Sequence, residues 1–484
     1  MNIQTPEWVK DAIFYQIFPD RFARSERVSK PDNLQAWDAA PTYHGFKGGD
    51  LLGIVEKLDY LVDLGINAIY LNPIFTSASN HRYHTHDYYT VDPLLGGNDA
   101  FHELLEAAHE RDIRIVLDGV FNHASRGFLQ FNHLLETGAE SPYRDWFHVF
   151  GWPLNAYNES ELPNYAAWWG LHALPKFNTD NPDVREYLWN VGAYWIEQGI
   201  DGWRLDVPAE IDDDEFWREF RRRCRAINPE AYLVGELWED AGRWLQGDQF
   251  DAQMNYPFTR AAFGFFGGDN LNQSDTIHTG LGFLEPCNGH HFADTLHDLH
   301  HRYDWQIILA QMNMLGSHDT PRVYTIANGD LSTVRLMFLC QMTIAGAPNI
   351  YYGDEIGLPG SRDPDCRRAF PWDNQDQWKT ALLDDVRSFI QLRRSAPVLR
   401  RGDFHILFAS EQIVVYRRQL EGRTAVVAFN AGQGEHGFTL SADQLPGSLE
   451  EVLVENGAAL HANKKVTLAP RSGRVWVSKG ALTG

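Results

Sequence analysis

Eight short apolar runs alternate with longer amphipathic segments over residues 12–396, and this rhythm restricts the fold more than any other feature. The runs are AIFYQIFP (12–19), AIYLNPI (68–74), IRIVLDGV (113–120), GWRLDV (202–207), AYLVGEL (231–237), FDAQMNY (250–256), NMLGSHD (313–319) and APNIYYG (347–353). Between them, GDLLGIVEKLDYLVDLG (49–65), DAFHELLEAAHERD (99–112), NPDVREYLWNVGAYWIEQG (181–199), EFWREFRRRCRAIN (215–228) and LSTVRLMFLCQMTIAG (331–346) read as helices, the third opened by Pro182. Every run except the last is followed by room for a helix. Apolar strands joined by helical crossovers argue a parallel sheet covered on both faces. Eight of them predict an α/β fold, a (β/α)8 TIM barrel.

Two stretches break the rhythm. Residues 124–180 carry Trp146, Trp152, Trp168, Trp169 and several prolines without periodicity, too long for a simple loop, and predict a subdomain inserted after the third strand. Beyond Ala396 come HILFAS, QIVVYRRQ, TAVVAFNA, HGFTLS, KKVTLA and GRVWVS, short runs punctuated by Gly, Asn and Ser. They predict a C-terminal antiparallel β-sandwich. The expected divisions are a barrel of 1–123 and 181–396, the insertion 124–180, and a C-terminal domain 397–484. A chain of 484 residues exceeds one core, which agrees with several domains.

The net charge of −23 argues against nucleic acid or an anionic membrane as partner, because phosphate binding needs a basic footprint. It suits a neutral ligand. The N-terminal residues, with Glu7, Lys10 and Asp11, show no secretory h-region, and Leu336–Tyr352 is too short and too interrupted to span a bilayer. Cys224, Cys287, Cys340 and Cys366 lie far apart, so neither a disulfide framework nor a zinc cluster is expected. A cytoplasmic setting follows as the simplest expectation, and a homodimer is left open.

Three of the runs carry a carboxylate at or next to their last residue: Asp206, Glu236 and Asp319. Barrel enzymes work at the C-terminal mouth of the sheet, where strand-end residues converge. Two carboxylates suffice to cleave a glycosidic bond, and a third can steady the sugar cation that forms. Arg204 lies two residues before Asp206, on the same face of its strand, where it would orient the carboxylate and keep it ionised. A nearby Asp206 charge and burial beside Trp238 would raise Glu236 and keep it protonated as an acid. His318, beside Asp319, would present a neutral imidazole to sugar hydroxyls.

At this point the chain resembles the α-amylase superfamily, glycoside hydrolase family 13. The resemblance rests on DGVFNH (118–123), GWRLDVPAE (202–210), GELW (235–238) and GSHDT (316–320), with GINAIYLNPIF (65–75) and GAPNIYYGDEIG (346–357) in support. It implies that Asp206 is the nucleophile, Glu236 the acid/base and Asp319 the transition-state stabiliser. It further implies that Arg204, His123 and His318 contact the sugar before the scissile bond, and that Tyr83, in NHRYHTHDY (80–88), is a stacking tyrosine. LPKFN (174–178) is similar to the MPKLN marker of the neopullulanase, cyclomaltodextrinase and maltogenic-amylase group, and GDQFDAQMNYPF (247–258) points the same way. Members of that group usually carry an extra N-terminal β-domain; this chain enters its first strand near Ala12 and looks like a short form. Pro208 and Ala209 depart from the group's common Ala and Asn.

The resemblance implies retaining hydrolysis of α-1,4 bonds, with α-1,6 left open, in maltooligosaccharides, cyclodextrins or related α-glucans. The alternatives are a glucanotransferase on the same fold and a non-catalytic sugar-binding homologue. No cofactor is expected. Asn122 resembles a calcium ligand of many α-amylases, but no Asp/Asn-rich loop appears in RFARSERVSK (21–30); a structural calcium is left open and not predicted. His81, His84 and His86 are read as shaping the loop around Tyr83 rather than as metal ligands.

Overall fold

A computed structural model describes residues 3–445, 447–453 and 457–482. Eight parallel strands form one sheet: β1 (Phe14–Ile17), β2 (Ala68–Leu71), β3 (Arg114–Gly119), β4 (Gly202–Leu205), β5 (Tyr232–Gly235), β6 (Ala252–Gln253), β7 (Met312–Met314) and β8 (Ala347–Tyr351). Their spatial order runs β6-β5-β4-β3-β2-β1-β8-β7. A parallel bridge from Met254 to Met312 joins the two ends, so the sheet closes. All but Arg114 of these strand residues are buried, which is why they read as continuous apolar runs.

Three details depart from the sequence reading. The segment 49–65 is two helices, Leu51–Val55 and Leu58–Leu64, the first capped by Asp50 accepting from the Gly53 N–H. Between β5 and β6 the chain makes turns and no helix. After β8 there is a helix, Thr380–Ser395, which buries Leu382, Leu383, Val386, Phe389, Ile390 and Leu392 at helical spacing. Among the described residues no helix is long and apolar enough to cross a membrane; the apolar stretch near residue 340 is split between the helix Leu331–Thr343 and β8.

The C-terminal part is an antiparallel sheet of β9 (His405–Ala409), β10 (Ile413–Leu420), β11 (Arg423–Asn430), β15 (Ser472–Val477) and β13 (Glu450–Val452), in that order, with a second sheet of β12 (His436–Thr439) and β14 (Lys465–Leu468). Alternation decides its packing. Val414, Tyr416, Val427 and Phe429 join the barrel core, while Ile413, Val415, Val426 and Ala428 pack with Phe438, Leu468 and Trp476 under the second sheet.

At the junction, buried Arg418 donates to the carbonyls of Asp403, Thr343, Leu399 and Gly402 at 2.7–2.9 Å. These carbonyls gather where the helices Leu331–Thr343 and Pro397–Arg401 end, and that of Leu399 also receives Arg393 Nη1 (3.4 Å). Arg418→Met would keep the apolar stem and strand the carbonyls. It is expected to cost about 3 kcal/mol or more by denaturant titration, with the active site unaltered.

Candidate active site

Parallel register delivers the acidic residues to one mouth. Asp118 on β3 pairs with Arg204 on β4, and Leu205 on β4 pairs with Gly235 on β5. Asp206 and Glu236, each one step past its strand, therefore emerge side by side. Their N–H groups still bond Gly119 O (3.0 Å) and Leu205 O (2.9 Å), so both carboxylates hang from ordered backbone.

Arg204 is the hub. Fully buried, its Nη1 donates to Asp118 Oδ1 (2.8 Å) and Asp206 Oδ1 (2.9 Å), its Nη2 lies 3.0 Å from Glu236 Oε2, and its Nε donates to Met254 Sδ (3.3 Å). The sequence reading gave this guanidinium to Asp206 alone; three carboxylates share it. Burial pushes Asp206 well above the usual aspartate range, Arg204 opposes that rise, and Glu236 adds to it. One cation among three buried carboxylates leaves excess negative charge, which favours retaining a proton on the cluster.

Glu236 accepts the Val207 N–H on Oε2 (3.0 Å) and the Trp238 indole N–H on Oε1 (3.2 Å). Val207 holds φ 35° and ψ 51°, a left-handed conformation rare for a β-branched residue. Burial raises Glu236, Arg204 counters it, and the like charge that pushes further is that of Asp319. The expectation named Asp206 and Trp238 for this shift. In the fold the repulsion between Glu236 and Asp206 acts on both carboxylates, while the Trp238 N–H, a hydrogen-bond donor to the anion, pulls Glu236 downward.

Asp319 is not at a strand end. β7 stops at Met314, and the chain then enters a turn closed by the Ser317 N–H on Thr320 Oγ1 (2.9 Å). Asp319 Oδ2 lies 3.1 Å from His318 Nε2, and Oδ1 lies 3.4 Å from Arg367 Nη2. Its side chain is 32% exposed, against 10% for Asp206 and 6% for Glu236, so it faces the opening.

A directional chain fixes His318 and Tyr83. The Gln16 amide donates to His318 Nδ1 (2.9 Å), leaving the proton on Nε2, which meets Tyr83 Oη at 2.6 Å; Tyr83 in turn donates to Asp118 Oδ2 (2.7 Å). Burial, with Arg367 and Arg204 nearby, holds His318 well below the ordinary histidine range and neutral at pH 7. With the ring neutral, its 3.1 Å approach to Asp319 Oδ2 is not an ion pair.

His123 makes no hydrogen bond to Arg204, Asp118, Asp206 or Glu236 among the described residues. It is 1% exposed, its Nδ1 lies 3.2 Å from the Asn122 amide, its Nε2 has no partner, and its ring stacks on Trp168 at 5.3 Å. Burial lowers it to about 3. His81 Nδ1 accepts the Tyr83 N–H (3.2 Å), and the His81 and His84 rings meet edge-on at 4.9 Å. His84 falls to about 4 through burial. Trp238 lies flat on Tyr256, centroids 3.5 Å apart.

Several participants escaped the sequence reading. Asp118 had a signal: a carboxylate within the apolar run IRIVLDGV must find a cation. Tyr70, whose hydroxyl donates to Asp118 Oδ2 (2.6 Å), and Gln16 lie inside strands and looked like core. Arg367, from the loop after β8, carried no signal at all.

The model of the α-amylase catalytic domain matches residues 16–395, and that of the α-amylase C-terminal domain matches residues 402–472. A cyclomaltodextrinase of Geobacillus thermopakistaniensis is 44% identical over 431 residues, which cover 88% of this chain and 70% of that protein. Neopullulanase 2 of Thermoactinomyces vulgaris is 40% identical over 480 residues, 97% of this chain and 78% of that one. The crystal structure of the native Nostoc punctiforme debranching enzyme superposes with a TM-score of 0.90 at 48% identity, covering 99% of this chain and all of that one. With the barrel, the C-terminal sheet and the acidic mouth in place, the chain belongs to the α-amylase family of glycoside hydrolases.

Proposed function

We propose that Asp206, Glu236 and Asp319 carry out retaining cleavage of α-glucosidic bonds in maltooligosaccharides, cyclodextrins and related α-glucans, at α-1,4 and also at α-1,6 linkages. The observation that carries the reading is the single Arg204 guanidinium spanning Asp206 and Glu236, which ties an ionisable nucleophile to a carboxyl suited to hold a proton. Asp206 Oδ attacks the anomeric carbon while Glu236 gives its proton to the departing glycosidic oxygen. Glu236, now a carboxylate, takes a proton from water as that water releases the sugar from the Asp206 ester. Asp319, the most open of the three, supports positive charge at the anomeric carbon. His318, Tyr83, His123 and Arg204 hold the sugar in register, with His123 Nε2 available for a hydroxyl. The debranching neighbour supports the α-1,6 component. The cysteines, all free and three of them buried, support a reducing, cytoplasmic setting.

A panel of maltotriose, β-cyclodextrin, pullulan and starch, with products identified and their anomeric form followed, tests this. Release of α-anomeric products from several of them is expected. Inverted products overturn the nucleophile, and absence of reducing sugar from all four overturns the hydrolase reading. Larger sugars that form only with added acceptor favour the transferase.

Trp238 combines a hydrogen bond to Glu236 with a flat stack on Tyr256. Trp238→Phe keeps a ring and loses the N–H, so Glu236 loses a donor that favours its anion. The alkaline limb of kcat/KM is expected to move upward. Trp238→Ala is expected also to change the ratio of α-1,4 to α-1,6 cleavage, or of hydrolysis to transfer. A change confined to Tm in both variants means that Trp238 is packing only.

A further inference from the structure

Trp169 is the most conspicuous side chain the mechanism does not use. It is 81% exposed, although its residue type is normally covered. Its backbone adopts φ 51° and ψ 22°, a left-handed conformation that costs free energy for a bulky residue. Gly170 follows at φ 70°, and two hydrogen bonds, Gly170 N–H to Ala167 O (3.1 Å) and Leu171 N–H to Trp168 O (3.0 Å), lock the turn. The strain holds an indole out in solvent, where it gains no burial.

One face of that indole is occupied: Trp169 lies on Trp168 with centroids 4.5 Å apart and planes 11° from parallel. Trp168 stacks in turn on His123 at 5.3 Å and 19°. Three near-parallel rings thus lead from buried His123 to the surface. Among the described residues no ring or cation covers the outer face of Trp169. Tyr157, also exposed in the same insertion, differs: the Arg126 guanidinium sits 4.6 Å over its ring.

We propose that Trp169 is a stacking platform outside the catalytic pocket, taking the apolar face of a glucosyl ring in a longer α-glucan whose neighbouring units occupy the active site. This rests on the α-glucan hydrolase reading above. A flat, rigid indole with one free face fits the C–H face of a pyranose, and its continuity with His123 sets the occupant as the same chain that is being cleaved. Short substrates do not reach it; long ones gain affinity there.

The test compares Trp169→Ala and Trp169→Phe with the wild type on maltotriose and on soluble starch, with Tm and sedimentation recorded. For Trp169→Ala, kcat/KM on starch is expected to fall about tenfold, mainly through KM, with less than about twofold change on maltotriose. Trp169→Phe, retaining an aromatic face, is expected to recover much of the loss. Equal losses on both substrates, or unchanged kinetics on both, overturn the platform. Conversion of a dimer to a monomer by Trp169→Ala at unchanged starch KM also overturns it and makes the ring a contact between copies. If the wild type cleaves no α-glucan, the functional reading itself fails, a result independent of either variant.

Discussion

Asp206→Asn is expected to fold like the wild type and to lose turnover on the order of 10⁴-fold or more, because an amide oxygen cannot form the glucosyl ester. Folding should survive because the neighbours of Arg204 are only partly changed. Its Nη1 still meets Asp118 Oδ1 and its Nη2 still lies beside Glu236 Oε2, and the Asn side chain can accept from Nη1 as Asp206 did. Removing one carboxylate from a cluster with excess negative charge also eases repulsion, so Tm should be held or raised slightly. The measurement is kcat on maltotriose at matched purity, with a melting curve. Near-wild-type turnover would falsify the nucleophile assignment.

Glu236→Gln removes the proton donor and the later base. With natural glucosyl leaving groups the loss is expected to be about 10²–10⁴-fold. An aryl glycoside with a good leaving group needs little protonation, so its first step should suffer far less, and the covalent intermediate should accumulate as a burst. The pH profile gives a second handle. Burial and the Asp319 charge raise Glu236, so in the wild type the acid loses its proton only as pH climbs past the ordinary glutamate value. Activity is present below that point and declines above it, and this alkaline limb should vanish in Glu236→Gln. Equal losses with both leaving groups, and an unchanged limb, mean that Glu236 is structural.

The barrel was legible because a parallel strand covered on both faces must be apolar throughout, and such runs stand out whatever surrounds them. The eighth helix, Thr380–Ser395, was missed although TALLDDVRSFIQLRRS carries a clear apolar face. More than twenty residues of irregular chain separate it from β8, and the expected rhythm had ended there. The missing helix between β5 and β6 has the opposite cause: spacing allows a helix but does not require one.

For the site, the sequence by itself determined the residues that sit at or one step past strands, since strand direction and register fix where they emerge. Asp206, Glu236 and Arg204 belong here, as does the eight-strand alternation that carries them. Only the tertiary structure decided how charge is shared. Asp118 becomes the third carboxylate on Arg204 through register between neighbouring strands, Asp319 reaches the mouth on a turn beyond β7, and Arg367 arrives from a loop 48 residues further along. The source of the Glu236 shift, the proton position on His318 and the stack from His123 to Trp169 follow from those placements. A local pattern records what each residue does to its own backbone. Coulomb interactions and ring stacking depend on separation in space, which closure of the barrel sets.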